Sequence, residues 1–258
     1  MSDGGSPPAF TTVRVDVVGR LGRLTLDQPA RLNPLGATVL RELVAAAGHF
    51  DRAGVGVVIV TGAGRAFSAG FDRRELTAVP DPDPSMAPGS GSSVPELGAE
   101  MARAVASMRA VTIAALNGLC LGGGLVLATA CDLRIAAEDA WFSLPEVDLG
   151  IPLAWTGVPR LVREIGPART LELVLTCRRF DAIEAATMGL LNRVVPAGDL
   201  DRTVDELAEK ILAQRPGVVA TTKQQVSAAA EALVPSTGEW SGTAALVAAL
   251  RELLAGGA

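Results

Sequence analysis

Hydrophobic and polar residues alternate over residues 13–18 and again over 21–26, with two residues between the stretches. Alternation with a period of two is typical of strands, and the short break predicts a β-hairpin. Residues 37–50 follow a helical period instead, which predicts an amphipathic helix. Its apolar face would hold Val39, Leu40, Leu43, Val44, Ala47 and Phe50. The apolar run 55–60 predicts a strand that is buried on both faces.

Two further strands, predicted at 111–116 and 132–137, flank the glycine-rich segment LGGGLVLATACD at 121–132. The order strand, glycine loop, helix, strand predicts an α/β fold, in which ligands tend to bind at the carboxyl ends of strands. Gly122 to Gly124 cost a helix roughly 1 kcal/mol each relative to alanine. Either they let a ligand approach the backbone, or they let strand and helix pack closely, and the sequence leaves both interpretations open.

Two regions depart from this α/β pattern. Residues 80–95 are dominated by proline, glycine and serine, which predicts a mobile loop above a site. From about residue 197, three helical patterns follow one another with no strand between them. We therefore expect an α/β core over residues 1–196 and a C-terminal helical region over residues 197–258.

The composition narrows the class of partner and the compartment. Hydrophobic residues make up 49% of the 258, enough for a sizeable core, and the net charge of −5 argues against nucleic acid as a partner. The segment MSDGGSPPAF does not resemble a signal peptide, and no apolar run approaches the ~20 residues of a membrane span. The three cysteines lack metal-ligand spacing. We expect a cytoplasmic protein with buried thiols, no metal site and no membrane partner.

Two familiar catalytic patterns fail on inspection. Gly62 and Gly64 begin a dinucleotide-binding fingerprint, but its third glycine would fall at Phe67, and the chain has no tyrosine for short-chain dehydrogenase chemistry. His49 is the only histidine and lies in a helical pattern, and the chain has no G-x-S-x-G sequence. A Ser-His-Asp hydrolase is therefore not expected.

Two predicted helix starts point to a site for a negatively charged oxygen. The sequence DRRE at 72–75 fits a capping box that opens a helix near residue 73, so Gly70 and Phe71 would precede it with unpaired backbone amides. The helix opened by Gly122–Gly124 would present its first amides in the same way. Two N–H groups directed at one oxygen form an oxyanion hole.

A candidate proton-transfer group follows in the segment WFSLPEVDLGIPLAWTG at 141–157. Glu146 and Asp148 lie among apolar residues, and a carboxylate in such surroundings has a raised pKa that suits proton transfer. The residues alone favour the alternative, in which both carboxylates face solvent.

Together these segments resemble the crotonase superfamily, the enoyl-CoA hydratase/isomerase family. RLTLDQPARLNPLGATVLREL is similar to its first strand and helix, and VVIVTGAGRAFSAGFDRREL to its first oxyanion and coenzyme A segment. NGLCLGGGLVLATACDLRIAAEDAWFSLPEVDLGIP is similar to the second oxyanion segment and catalytic strand, and GLLNRVVP to the stretch before the C-terminal helices. The resemblance covers nearly all of residues 11–235.

The resemblance implies a crotonase-like spiral of ββα turns, with trimers or dimers of trimers formed through the C-terminal helices. Acyl-CoA thioesters would be the ligands, with no cofactor beyond the coenzyme A of the substrate. By position, the oxyanion donors would be the amides of Phe71 and Gly123, and Glu146 would be the catalytic acid or base. The residues in contact with the acyl-CoA would be Ala30, Leu32, Ala66, Ala69, Gly70, Asp72, Leu121, Gly122, Val126, Pro145, Gly150 and Leu153.

The chain departs from the family where a second acid would stand. Family hydratases carry their first glutamate two residues past the glycines, where this chain has Val126, and dienoyl-CoA isomerases have another acid at the position of Ala154. Family enoyl-CoA isomerases work with one glutamate at the position of Glu146. The resemblance therefore implies a single-glutamate enoyl-CoA isomerase of fatty-acid metabolism. The alternatives are a weak hydratase or another crotonase reaction, and an acyl-CoA binding protein without turnover.

Overall fold

The computed structural model describes residues 10–78, 93–236 and 242–256. Within these ranges the strands are β1 Val13–Val18, β2 Leu21–Leu26, β3 Val57–Gly62, β4 Ala66–Ser68, β5 Val111–Leu116, β6 Leu119–Leu121, β7 Leu133–Ala137, β8 Trp141–Ser143, β9 Phe180–Asp181 and β10 Arg193–Val195. The α-helices are α1 Ala37–Ala53, α2 Val94–Ala106, α3 Gly123–Ala130, α4 Gly157–Ile165, α5 Pro167–Thr176, α6 Ala182–Met188, α7 Leu200–Leu212, α8 Pro216–Leu233 and α9 Thr243–Gly256. Short 3-10 helices occupy Pro29–Arg31, Arg73–Ala78, Val147–Leu149 and Ala197–Asp199.

The strands form two sheets. The larger has the order β1-β2-β3-β5-β7-β10 and the smaller the order β4-β6-β8-β9. The predicted hairpin is confirmed, since β1 pairs with β2 antiparallel from Val13↔Leu26 to Val18↔Leu21. Every other neighbouring pair in the larger sheet is parallel, as are β4–β6 and β6–β8 in the smaller one. Parallel strands joined through helices confirm the α/β class.

Strand β3 shows why an apolar run predicts a central strand. Successive side chains of a strand point to opposite faces of the sheet. Val58 and Val60 pack into the main core with α1, whereas Val57 and Ile59 pack into a second core beneath α7. The apolar run is therefore buried on both faces as predicted, although the strand itself spans residues 57–62 and not 55–60.

The predicted helices agree in part with the observed ones. Helix α1 continues to Ala53, and α3 begins at Gly123 with Gly122 as its N-cap. Three helices, α7 to α9, follow β10 with no strand between them in the described residues. The first residues of the third C-terminal pattern and the predicted loop up to residue 92 lie outside the described ranges. The prediction was wrong for the last residues of that loop, because Ser93 is the N-cap of α2 and the residues after it are helical.

The capping box predicted at 72–75 does not form. The backbone enters a 3-10 helix, and Glu75 Oε2 accepts a hydrogen bond of 2.9 Å from the backbone N–H of Ala37. The physical reason lies in α1, whose N-cap is Gly36 and offers no side-chain acceptor. Glu75 therefore satisfies one of the unpaired amides at the start of α1.

Helix α8 contrasts with every other long helix, because none of its residues is buried. Val218, Val226 and Leu233 are at least three-fifths exposed. Its polar anchor on the core is Lys223, whose ammonium donates to the carbonyl of Ala110 and to Asp132 Oδ2, each at 2.7 Å. Across the described residues, no helix combines the length and the apolarity that crossing a lipid bilayer requires.

Candidate active site

A cavity of about 270 Å³ lies where the start of α3 meets the segment after β4 and the segment after β8. The beginning of α2 and one face of α9 complete its wall. Most residues that the sequence assigned to the site line it: Ala69, Gly70, Phe71, Leu121, Gly122, Gly123, Val126, Pro145, Glu146 and Leu153. Apart from Glu146 and Arg73, the described lining residues are uncharged, so the cavity suits an apolar group.

Each of the three consecutive glycines packs against a different neighbour. A methyl group built on Gly122 would come within 2.4 Å of Glu146 Oε1, and one on Gly123 within 2.4 Å of the Trp155 ring. A methyl group on Gly124 would meet the Ser68 side chain at 2.8 Å. Close packing therefore explains all three glycines. Gly122 and Gly123 also line the cavity, so they leave the backbone open to a ligand there.

The segment carrying Phe71 touches the start of α3. Gly70, with φ 79°, lies so close that a methyl group on it would come within 2.6 Å of the Leu121 carbonyl oxygen and 3.3 Å of the Gly123 nitrogen. On its other side this segment forms a parallel bridge between Phe71 and Leu35. The Leu35 N–H donates to the Gly70 carbonyl, and the Leu35 carbonyl accepts from the N–H of Asp72.

This bridge leaves the Phe71 amide directed away from Leu35, because successive peptide groups of an extended chain point to opposite sides. The Gly123 amide is the first of α3 and has no partner within its own helix. Among the described residues, neither N–H donates a hydrogen bond. Two unpaired N–H groups therefore border the same cavity.

Glu146 lies in the turn between Pro145 and the 3-10 helix Val147–Leu149. Its residue is only 8% exposed, and burial raises the pKa of its carboxyl group to about 7. Oε2 has no hydrogen-bond partner in the described part of the chain. Asp148, two residues on, is exposed, so the two acids of this segment separate into one buried and one solvated carboxylate. A buried carboxyl group that titrates near neutral pH is suited to moving protons.

Val126 and Ala154 stand at the two positions where the resemblance implies a second acid, and both side chains are apolar. Val126 is 2% exposed, lines the cavity and packs beside Gly157. Ala154 lines the cavity from the segment that follows Glu146. Glu146 is thus the only acid among the described residues that line the cavity.

The assigned residues that do not line the cavity form two groups. None of Ala30, Leu32 and Ala66 lines the cavity. Ala30 lies in the 3-10 helix Pro29–Arg31 and Leu32 is its C-cap. Ala66 belongs to β4, and its carbonyl accepts a hydrogen bond of 2.8 Å from Asn33 Nδ2. This group adjoins the cavity through the backbone, because the Leu32 carbonyl accepts a hydrogen bond of 2.8 Å from the N–H of Ala69.

The second group consists of Asp72 and Gly150. The Asp72 carboxylate is 2.5 Å from Arg31 and 3.4 Å from Arg74, so it ties two segments together by ion pairs. Gly150 faces α9, where a methyl group on it would lie 3.2 Å from Leu253. Neither residue lines the cavity.

Several lining residues were not identified from the sequence. Leu246 and Leu250 of α9 are one helical turn apart and reach the cavity together. Trp155 lies at the end of the apolar run that follows Glu146 and is 4% exposed. The helical period of α9 was visible in the sequence, but nothing there showed which element its apolar face covers.

Comparison with known proteins agrees with this fold. The family model "Enoyl-CoA hydratase/isomerase" matches residues 19–240. A probable enoyl-CoA hydratase of Mycobacterium bovis is 40% identical over 192 residues, which are 74% of this chain and 71% of that protein.

Solved structures give the same result. The enoyl-CoA hydratase of Bacillus anthracis superposes with a TM-score of 0.77 at 32% identity, over 95% of this chain and 92% of the other. A monofunctional enoyl-CoA isomerase of M. smegmatis superposes with a TM-score of 0.71 at 30% identity, over 90% and 97%. The chain therefore belongs to the enoyl-CoA hydratase/isomerase family, and its fold is that of the crotonase superfamily.

Proposed function

We propose that this protein is an enoyl-CoA isomerase that uses a single carboxylate to move the double bond of a 3-enoyl-CoA to the 2-position in fatty-acid metabolism. The observation that carries the proposal is that Glu146 is the only acid among the described lining residues. One carboxylate suffices when a proton moves between two carbon atoms of the same substrate. The likeness to a monofunctional enoyl-CoA isomerase supports this choice within the family.

In the proposed reaction, the thioester oxygen accepts hydrogen bonds from the N–H groups of Phe71 and Gly123. Glu146 takes a proton from C2, and the electron pair of that C–H bond forms a dienolate whose charge collects on the thioester oxygen. The same carboxyl group then returns the proton to C4, which leaves the double bond between C2 and C3. A carboxylate alone is too weak a base to remove a proton from C2. The two N–H groups must therefore stabilise the negative charge that develops on the thioester oxygen.

The remaining contacts are proposed from position. Backbone around Leu32, Ala66 and Ala69 would hold the coenzyme A, with the acyl chain in the apolar cavity. The reaction moves one proton and changes no oxidation state, so we propose no cofactor beyond the coenzyme A of the substrate and no metal ion. The three cysteines, all buried free thiols, support a reducing compartment, and we propose the cytoplasm.

The direct test is an assay of the purified protein with 3-hexenoyl-CoA, in which the conjugated 2-enoyl thioester is detected as it forms. Turnover supports the isomerase. If calorimetry shows binding of hexanoyl-CoA but no enoyl thioester is converted, the protein is an acyl-CoA binding protein, and the isomerase proposal is wrong.

Hydration of a 2-enoyl-CoA is the second candidate function, because the 40% identical relative is named a probable hydratase. Adding water requires one group to activate the water and another to protonate carbon. With Val126 at the position of the first hydratase glutamate, we expect hydration of crotonyl-CoA by the unmodified protein to be slow compared with a two-glutamate relative.

The Val126→Glu variant is expected to raise crotonyl-CoA hydration roughly tenfold or more, since it supplies the absent acid. The variant buries a new carboxyl group at a position that is 2% exposed, so some loss of stability is also expected. Val126→Gln is the matched control, because it has the same size without the acid. Rapid hydration by the unmodified protein, or an equal gain in the Gln variant, would contradict the single-carboxylate assignment.

We also propose that the protein assembles as a trimer or a dimer of trimers through its C-terminal helices. Helix α8 supports this, since it has no buried residue and exposes Val218, Val226 and Leu233. Such apolar surface is commonly buried between subunits. Sedimentation velocity at micromolar concentration is expected to give a mass of three or six chains, and a stable monomer would refute the proposal.

A further inference from the structure

The Trp155 indole ring lies against both residues that carry the unpaired N–H groups. Its Cζ3 atom occupies the space beside Gly123, where a methyl group would come within 2.4 Å. The same ring meets the Phe71 ring edge to face, with centroids 6.1 Å apart and planes at 84°. One side chain therefore contacts two segments that are about fifty residues apart in the sequence.

Helix α2 also packs against the Trp155 ring. A methyl group built on Gly98 would come within 2.0 Å of Trp155 Cε2, so this glycine leaves room for the ring on the side of the helix. Gly98 is buried and does not line the cavity. The indole is thus held between α2 and the start of α3, and its N–H has no partner in the described part of the chain.

The backbone at this point has an unfavourable conformation. Trp155 has φ 57° and Thr156 has φ 64°, which is the left-handed region that bulky side chains rarely adopt. Such conformations persist when the surrounding packing determines them, and they cluster at functional sites. Here the left-handed turn brings the indole ring onto Gly123.

We propose that Trp155 is a positioning residue that holds the amides of Phe71 and Gly123 at the spacing needed to bind one thioester oxygen. This inference rests on the assignment of those amides in the proposed function. Stabilising an oxyanion requires donors that are already in place before charge develops. Small displacements of such groups are costly to catalysis, and a single packed ring against both residues limits them.

The test compares binding of hexanoyl-CoA with that of hexyl-CoA, a thioether in which a CH₂ group replaces the carbonyl. Only the thioester offers an oxygen to the two N–H groups. Calorimetry is expected to show that the wild type prefers the thioester roughly tenfold or more, as two net hydrogen bonds predict. Trp155→Ala is expected to reduce this preference to about twofold or less, and Trp155→Phe, which restores an aromatic ring, is expected to recover most of it.

Two further variants keep the test independent of folding. In Gly98→Ala, the added methyl group would displace the Trp155 ring from the side of α2, and Gly98 itself does not line the cavity. This variant is therefore expected to reduce the preference for the thioester as well. If Trp155→Ala does not fold, this variant decides the outcome. Trp141→Ala is the matched control, because it removes the other described tryptophan, which packs under Arg179 and does not line the cavity.

A folded Trp155→Ala or Gly98→Ala protein that keeps the full preference overturns the positioning role. No preference in the wild type overturns the donor assignment and the inference with it. A wild type that shows the preference but converts no 3-enoyl-CoA removes the isomerase proposal alone, and Trp155 is then judged on its binding data. Turnover adds a second readout, since donors placed for developing charge contribute more to the transition state than to binding, so a positioning role predicts a fall in kcat that is larger than the rise in KM.

Discussion

The Glu146→Gln variant is expected to bind hexanoyl-CoA with nearly unchanged affinity and to lose at least about 100-fold in kcat for 3-hexenoyl-CoA, the typical contribution of a general base. Glutamine has almost the same shape, so it can occupy the space beside Gly122 that the Glu146 carboxylate now fills. It cannot accept and return a proton. This single substitution should therefore lower turnover and leave binding nearly unchanged. Stopped-flow or steady-state assays measure the turnover, and calorimetry measures the binding.

Asp148→Asn provides the matched control for this experiment. Asp148 belongs to the same 3-10 turn as Glu146 but is exposed and does not line the cavity, so its loss should leave kcat and affinity unchanged. Full turnover by Glu146→Gln would show that another group moves the proton. Equal losses in both variants would instead indicate that the turn itself has been disturbed.

Local patterns predicted the elements whose folding depends on their own residues. The β1–β2 hairpin follows from period-two alternation over a short break, and its observed limits match residues 13–18 and 21–26. The start of α3 follows from glycines before an apolar run. In both cases, neighbours in sequence provide most of the defining contacts, so the local sequence pattern is enough to predict the element.

Positions fixed by contacts between distant segments were not predictable in the same way. Glu75 was assigned to its own turn, yet its carboxylate caps α1 nearly forty residues earlier. Glu146 is buried and Asp148 is exposed because only one side of their shared turn faces the cavity. Trp155 and Leu250 reach the cavity through packing of α2, α3 and α9, which no single segment encodes.

The burial of Glu146 also has an expected cost in stability that depends on pH. Its pKa rises from 4.5 to about 7 because burial removes water from the carboxylate. Between these values the native chain keeps a proton that the unfolded chain releases, so the free energy of unfolding falls as pH rises through this range. Above pH 7 the carboxylate is ionised in both states, and the cost no longer grows.

Glu146→Gln removes this titration, so the variant should gain stability over the wild type as pH increases. Between about pH 5 and about pH 8 the gain should grow by about 2 to 3 kcal/mol, which follows from the rise of the pKa from 4.5 to about 7 and 1.36 kcal/mol per pKa unit. Equilibrium urea unfolding of both proteins at one protein concentration measures the difference, and all other ionisable groups cancel in it. A constant difference across pH would show that Glu146 titrates alike in the folded and unfolded chain, and that burial does not raise its pKa.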